Sequence, residues 1–229
     1  MTPAHARPRM RIEPVRDALR SYYGRPRNEP HRAPLDELVL TVLSQNTNDR
    51  NRDVAYERLR DRFEDWAAVA RAPETRIEEA IRPGGISKVK AARIKAMLAA
   101  ISAERGDLDL GFLAGAPREE ALAFLERLPG VGRKTAACVM LFSFDRPELP
   151  VDTHVYRVAS RLGLIRARAS FAEAHEVLLE ATDPGDVYEV HVNLIRHGRR
   201  ICTARAPACP ECPLLELCPY GKRATGRRR

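Results

Sequence analysis

An all-α fold is what this sequence predicts, on three observations. Apolar residues recur at helical spacing along most of the chain, no stretch shows the sustained alternation of a strand bounded by hairpin turns, and the connections between periodic segments are short. At 229 residues the chain is long enough for one full core or for two lobes sharing an interface.

The elements follow in order. A first helix is expected over residues 12–23. In the next, Leu35, Leu38, Val39, Val42 and Leu43 fall at i, i+3, i+4, i+7 and i+8, which places one apolar stripe on a buried face. Helices over residues 48–62 and 74–82 come next, and Ile94, Met97, Leu98 and Ile101 repeat the stripe. From Pro117 to Leu128 the proline suits a first-turn position, with Leu122, Leu125 and Leu128 as the inner face. Residues 132–144, 153–162, 170–181 and 185–197 complete the set. No internal repeat is present.

Charge bounds the partners. The 39 Lys and Arg outnumber the 31 acids for a net +8, which favours a polyanion, although basic balance alone also fits a membrane surface. The ends carry the excess: residues 1–34 sum to +5 and residues 222–229 to another +5, so the body between them sums to −2. A nucleic-acid footprint on the folded body is therefore a local patch. Residues 1–9 and 222–229 read as disordered basic tails. No run of eighteen apolar residues exists, and the basic N-terminus leads into no apolar segment, so neither a membrane span nor export is expected and the predicted location is cytoplasmic.

One turn carries the chemistry. Leu128-Pro129-Gly130-Val131-Gly132-Arg133-Lys134-Thr135-Ala136 joins the end of one helix to the start of the next, a helix-hairpin-helix over about residues 122–141. Gly130 and Gly132 are expected to take positive φ and allow close backbone approach, and Val131 to pack inward. The second helix offers N–H groups and a positive dipole end to a phosphate, and small Ala136 and Ala137 let the helices close. Such a motif by itself binds nucleic-acid backbone without sequence preference. An ordinary lysine, with a pKa of about 10.4, leaves only about one amine in a thousand uncharged near neutral pH. Burial and a helix N-terminus both disfavour the ammonium, the usual route to a Schiff-base lysine. From position alone Lys134 is nucleophile or phosphate anchor. Asp152, after apolar Leu149-Pro150-Val151, is expected to cap a helix beginning near Thr153, and a capping acid can still face a developing positive charge.

Four of the five cysteines lie in one segment, as Cys202-x6-Cys209-x2-Cys212-x5-Cys218. The spacing does not suit a disulfide framework in a chain without an export signal. Four thiolates suit a metal centre: zinc, whose common pattern has two Cys-x2-Cys pairs where this chain has one, or an iron–sulfur cluster. Cys138, after two alanines, reads as a buried core thiol.

Leu-Pro-Gly-Val-Gly-Arg-Lys-Thr-Ala followed by Val151-Asp152-Thr153-His154 resembles the endonuclease III family of DNA glycosylase/AP lyases, from about Leu35 to Tyr220. The four-cysteine spacing matches that family's four-iron four-sulfur loop, with zinc as the minor alternative, and the lead-in His197-Gly198-Arg199 is similar too. The resemblance implies base-excision repair of oxidised pyrimidines or abasic sites in double-stranded DNA; a monomer is the default expectation, nucleoid-associated if the source is bacterial. It makes Lys134 the nucleophile at C1′ of the sugar, with β-elimination through a Schiff base, and Asp152 the assisting carboxylate. Gly130, Val131, Gly132, Arg133 and His154 would line the DNA.

A base is reached only by turning its nucleotide out of the stack, and a side chain then fills the gap. Leu43-Ser44-Gln45-Asn46-Thr47-Asn48-Asp49 resembles the family's Leu-Ser-x-Gln-Thr-x-Asp segment, which makes Asn46 the gap filler with Gln45 beside it. Gly85-Ile86-Ser87 resembles the segment presenting an apolar wedge, here Ile86. Arg205 is kept in the loop between the first two cluster cysteines, but alanines stand where relatives often place further basic residues, and Asn46 is shorter than the family's Gln. Weaker DNA binding with a shallower salt dependence is therefore expected.

The expected architecture is a six-helix barrel over residues 35–146 and a cluster lobe from residues 10–34 with 147–221, DNA lying across the cleft with Lys134 and Asp152 at its mouth. Two other readings use the same residues. A monofunctional mismatch glycosylase for adenine, thymine or uracil generally lacks Lys at this turn, and a non-catalytic helix-hairpin-helix binder would not need Lys134 and Asp152 together.

Overall fold

The computed structural model describes residues 11–30 and 32–226. Every regular element among them is helical: α1 Ile12–Tyr23, α2 Pro34–Leu43, α3 Asp49–Arg62, α4 Trp66–Arg71, α5 Glu74–Ile81, α6 Ser87–Arg105, α7 Arg118–Arg127, α8 Arg133–Phe144, α9 Thr153–Leu162, α10 Phe171–Glu180, α11 Val187–Arg200 and α12 Pro219–Ala224, with short 3-10 turns between some of them. The chain divides into two compact units, one of the residues up to Glu29 together with those from Pro147 onward, the other of Pro30–Arg146. The chain thus passes between units after Glu29, where the sequence pattern draws that boundary after residue 34.

The Pro30–Arg146 unit holds helices α2 to α8 around one apolar core. Pro34 sits in the first turn of α2, where its missing N–H costs nothing, with Asp36 and Glu37 at the positive end of the dipole. Leu38, Val39, Val42 and Leu43 are fully buried on its inner face, and α2 packs on α8, whose Ala136 and Ala137 admit close approach. Asn48 caps α3 by accepting from the Asn51 N–H at 2.9 Å. α6 extends well beyond its Ile94–Ile101 stripe.

Among the described residues this unit has seven α-helices where six were expected: the additional one, α4, is a turn and a half started by Asp65, whose carboxylate accepts from the Ala68 N–H at 2.6 Å. Six residues are too few to show a period, so only the cap was legible. Pro117 caps α7 from outside instead of occupying its first turn.

In the other unit, α1 is fastened to the start of α11. Arg20 grips Glu189 through both oxygens at 2.8 and 2.7 Å, and Arg16 and Arg25 join Asp186. Glu189 is almost wholly buried, so this fork of charge-assisted bonds is the partner its carboxylate needs. α9 lies against α11 where Gly198 meets His154; a Cβ on Gly198 would come within 2.9 Å of the His154 Cβ. The expected tail over residues 1–9 lies outside the described residues. Of residues 222–229, Lys222, Arg223 and Ala224 belong to α12, whose N-cap is Cys218, and residues 227–229 lie outside the described residues.

Candidate active site and metal centre

The glycine turn is built as a tight reversal. Gly130 has φ +80°, and the Val131 N–H closes the turn on the Leu128 carbonyl at 3.0 Å while the Val131 side chain is buried. A Cβ on Gly130 would meet the Arg93 Cδ at 2.8 Å, so this glycine serves both conformation and close approach. Gly132 differs from expectation. Its φ of −109° and ψ of 178° are extended backbone that any residue adopts. It is the N-cap of α8, exposed, with nothing within 4 Å of where a Cβ would stand. Its use is open space: glycine leaves the dipole end of α8 uncovered for an anion. Arg133 and Lys134, both half-buried, occupy the first two positions of that helix.

Asp152 caps α9, as expected. Its Oδ1 accepts from both the His154 and Val155 N–H groups at 2.8 Å, so capping leaves Oδ2 uncommitted. The segment leading to it is held by two buried histidines: Nδ1 of His175 lies 2.9 Å from the Leu149 carbonyl and Nδ1 of His191 2.9 Å from that of Pro150. A carbonyl only accepts, so both rings donate from Nδ1. His154 is half-buried, its backbone against Gly198 and its ring 3.1 Å from the Arg157 guanidinium.

Asn46 and Ile86 stand on two loops of the Pro30–Arg146 unit. Asn46 is exposed with φ +52°; Ile86 is 49% exposed with φ +41° and ψ +39°, immediately before α6. Asn tolerates left-handed backbone, whereas a β-branched side chain there is strained by about 1–3 kcal/mol. Ile86 therefore does not pack beneath its loop. Gln45, by contrast, is engaged: its amide donates to the Gly130 carbonyl at 3.1 Å, and its oxygen accepts from Arg93 at 2.8 Å.

Lys90 and Arg93 escaped the sequence reading. Lys90 is fully buried and donates to the carbonyls of Leu43 and Gly84, each at 2.7 Å. A signal existed: Lys90 stands four residues before Ile94, in register with the apolar stripe.

Cys202, Cys209, Cys212 and Cys218 line one cavity. Four cysteines around one cavity suit a four-thiolate metal centre, either zinc or an iron–sulfur cluster. The surroundings fit a bound anionic group: Nη1 of Arg161 lies 3.2 Å from the Cys202 sulfur, and the N–H groups of Leu214 and Gly221 donate to the Cys212 and Cys218 sulfurs at 3.4 and 3.3 Å. Burial pushes the Cys212 thiol up to about 11, so thiolate there requires a cation to take its charge. Arg161 also holds the Thr203 and Ala204 carbonyls at 2.8 and 3.0 Å, which leaves Arg205 exposed at the tip of the loop.

Comparison with known proteins agrees with this geometry. The profile of the HhH-GPD superfamily base excision DNA repair protein matches residues 39–184, and that of the iron-sulfur binding domain of endonuclease III matches residues 202–218. The chain is 34% identical over 199 residues to endonuclease III of Thermotoga maritima, covering 86% of this chain and 88% of that one. It is 34% identical over 196 residues to endonuclease III of Bacillus subtilis, at 84% of each. The structure of a trapped endonuclease III–DNA covalent intermediate superposes with a TM-score of 0.81 at 32% identity, over 93% of this chain and 97% of that one. A thermostable thymine-DNA glycosylase, 21% identical with a TM-score of 0.74, shares the fold. With family profiles that span the hairpin, Asp152 and the four cysteines, and relatives 34% identical over most of their length, the chain belongs to the endonuclease III family of base excision DNA repair proteins.

Proposed function

We propose that this chain excises oxidised pyrimidines from double-stranded DNA and cleaves the abasic product, with Lys134 as nucleophile and Asp152 as the assisting carboxylate. The observation that carries the reading is Lys134 itself, at the second position of α8 behind a bare glycine N-cap, where a monofunctional glycosylase has no need of an amine.

The Lys134 amine attacks C1′ as the bond from C1′ to the base breaks, and the base departs with the electron pair and takes up a proton. Asp152, through its uncommitted Oδ2, stabilises positive charge developing on the sugar. Opening of the sugar ring yields the Schiff base. Loss of a proton from C2′ then expels the 3′ phosphate, which cuts the strand. Gly130, Val131, Gly132 and Arg133 hold the backbone phosphate at the dipole end of α8, with His154 and Arg205 as further DNA contacts, while Asn46, beside Gln45, and Ile86 fill the vacated stack. Cys202, Cys209, Cys212 and Cys218 would hold a four-iron four-sulfur cluster, which when bound supplies cross-linking of the C-terminal segment and no step of the reaction. The protein acts as a monomer in the cytoplasm, with the nucleoid if the source is bacterial.

Oligonucleotides carrying thymine glycol, dihydrouracil, an abasic site or a mismatch test this directly, with base release and strand cleavage measured separately. Release coupled to cleavage on oxidised pyrimidines is expected. Release of a mismatched base without cleavage would overturn the reading.

A further inference from the structure

The first two turns of α6 lie beneath three separate loops of the Pro30–Arg146 unit. Lys90 and Arg93 stand at i and i+3 on one face of the helix, and Ile86 immediately precedes its first residue. Lys90 sends its ammonium to the Leu43 carbonyl, which closes α2 just before Gln45 and Asn46, and to the Gly84 carbonyl just before Ile86. One turn on, Arg93 holds the Gln45 oxygen at 2.8 Å, and Gln45 in turn holds the Gly130 carbonyl of the hairpin. The Arg93 stem lies where a Cβ of Gly130 would be, so the hairpin rests directly on α6.

We propose that Lys90 and Arg93 are positioning residues that fix the spacing of the Asn46 loop, the Ile86 turn and the glycine hairpin, so that gap filling and phosphate binding occur in one register. The proposal rests on the reading of these loops as DNA-facing. Neither side chain needs to touch DNA. Two features make their structural cost hard to explain by local stability alone. Desolvation holds the Lys90 amine below its ordinary pKa, which is the mark of a cation kept where burial disfavours it. Asn46 and Ile86, the two residues whose spacing Lys90 sets, are both held at positive φ without being glycine. Arg93 reaches the hairpin through Gln45, so the two should act as one unit.

The test measures the affinity of the full-length protein for a duplex containing a tetrahydrofuran abasic analogue and for the same duplex undamaged. Arg93→Met keeps the stem against Gly130 and removes only the guanidinium; it should weaken abasic binding roughly tenfold and leave undamaged binding within about twofold. Gln45→Ala should weaken abasic binding comparably, and Gln45→Ala with Arg93→Met no further. Arg93→Lys, which retains a cationic donor, should recover part of the loss. Lys90→Met should show the same selective loss; should it fail to fold, the Arg93 series decides. Equal losses on both duplexes, additive losses with Gln45→Ala, or no loss would overturn the proposal. An unaltered protein without preference for the abasic duplex would instead overturn the DNA-facing reading itself, and the proposal with it.

Discussion

Ile86 holds a left-handed backbone that a β-branched residue avoids, and it exposes an apolar side chain while doing so. Glycine at that position would relieve the strain, offset in part by the greater freedom of glycine in the unfolded chain. Ile86→Gly is therefore expected to raise stability by roughly 1 kcal/mol in urea unfolding, while weakening binding to abasic DNA. A destabilised Ile86→Gly protein would mean that the side chain is held by packing and the strain is misassigned. The same residue shows what sequence can and cannot reveal. Its place beside Gly85 and Ser87 was legible from the resemblance, but its φ was not, because no propensity scale assigns positive φ to isoleucine. Lys90 was hidden by the opposite rule, that lysine in a helix faces water, although its register with Ile94 pointed inward.

The helices themselves were the most legible part, since long apolar stripes such as Leu35–Leu43 leave one face to bury. Boundaries set by capping were less so. α4 and α12, each of 6 residues, depend on Asp65 and Cys218 as caps and not on a period. Gly132 shows the limit of reading glycine from sequence: positive φ was expected there, and the backbone is extended, so that open space and not conformation explains the residue. Gly198 is the converse, a helical glycine with no unusual φ that lets α9 and α11 touch. Gly198→Ala would drive a Cβ to 3.3 Å from the His154 backbone as well as against its Cβ, and should cost about 1–3 kcal/mol by urea denaturation. Unchanged stability would show that α9 shifts freely, and with it the cap at Asp152.

Across the whole molecule, the cluster unit and the hairpin unit answer to different perturbations. Cys212→Ser should abolish the visible absorbance of the bound cluster and expose the segment from Arg199 to Arg223 to limited tryptic digestion, with α2 to α8 retaining their protection. Concerted digestion of both units would contradict the separate cores. Charge acts on the same scale. With the body at net −2 and the positive excess at the ends, affinity for DNA should fall less steeply with salt than the roughly thousandfold loss between about 50 and 200 mM expected for six phosphate contacts. The central claim is that the Lys134 amine becomes covalently joined to the sugar. Borohydride added to the protein with abasic DNA should trap a protein–DNA adduct, and Lys134→Ala, folded as judged by its helical circular dichroism, should trap none; an adduct formed by Lys134→Ala in equal yield would contradict the account.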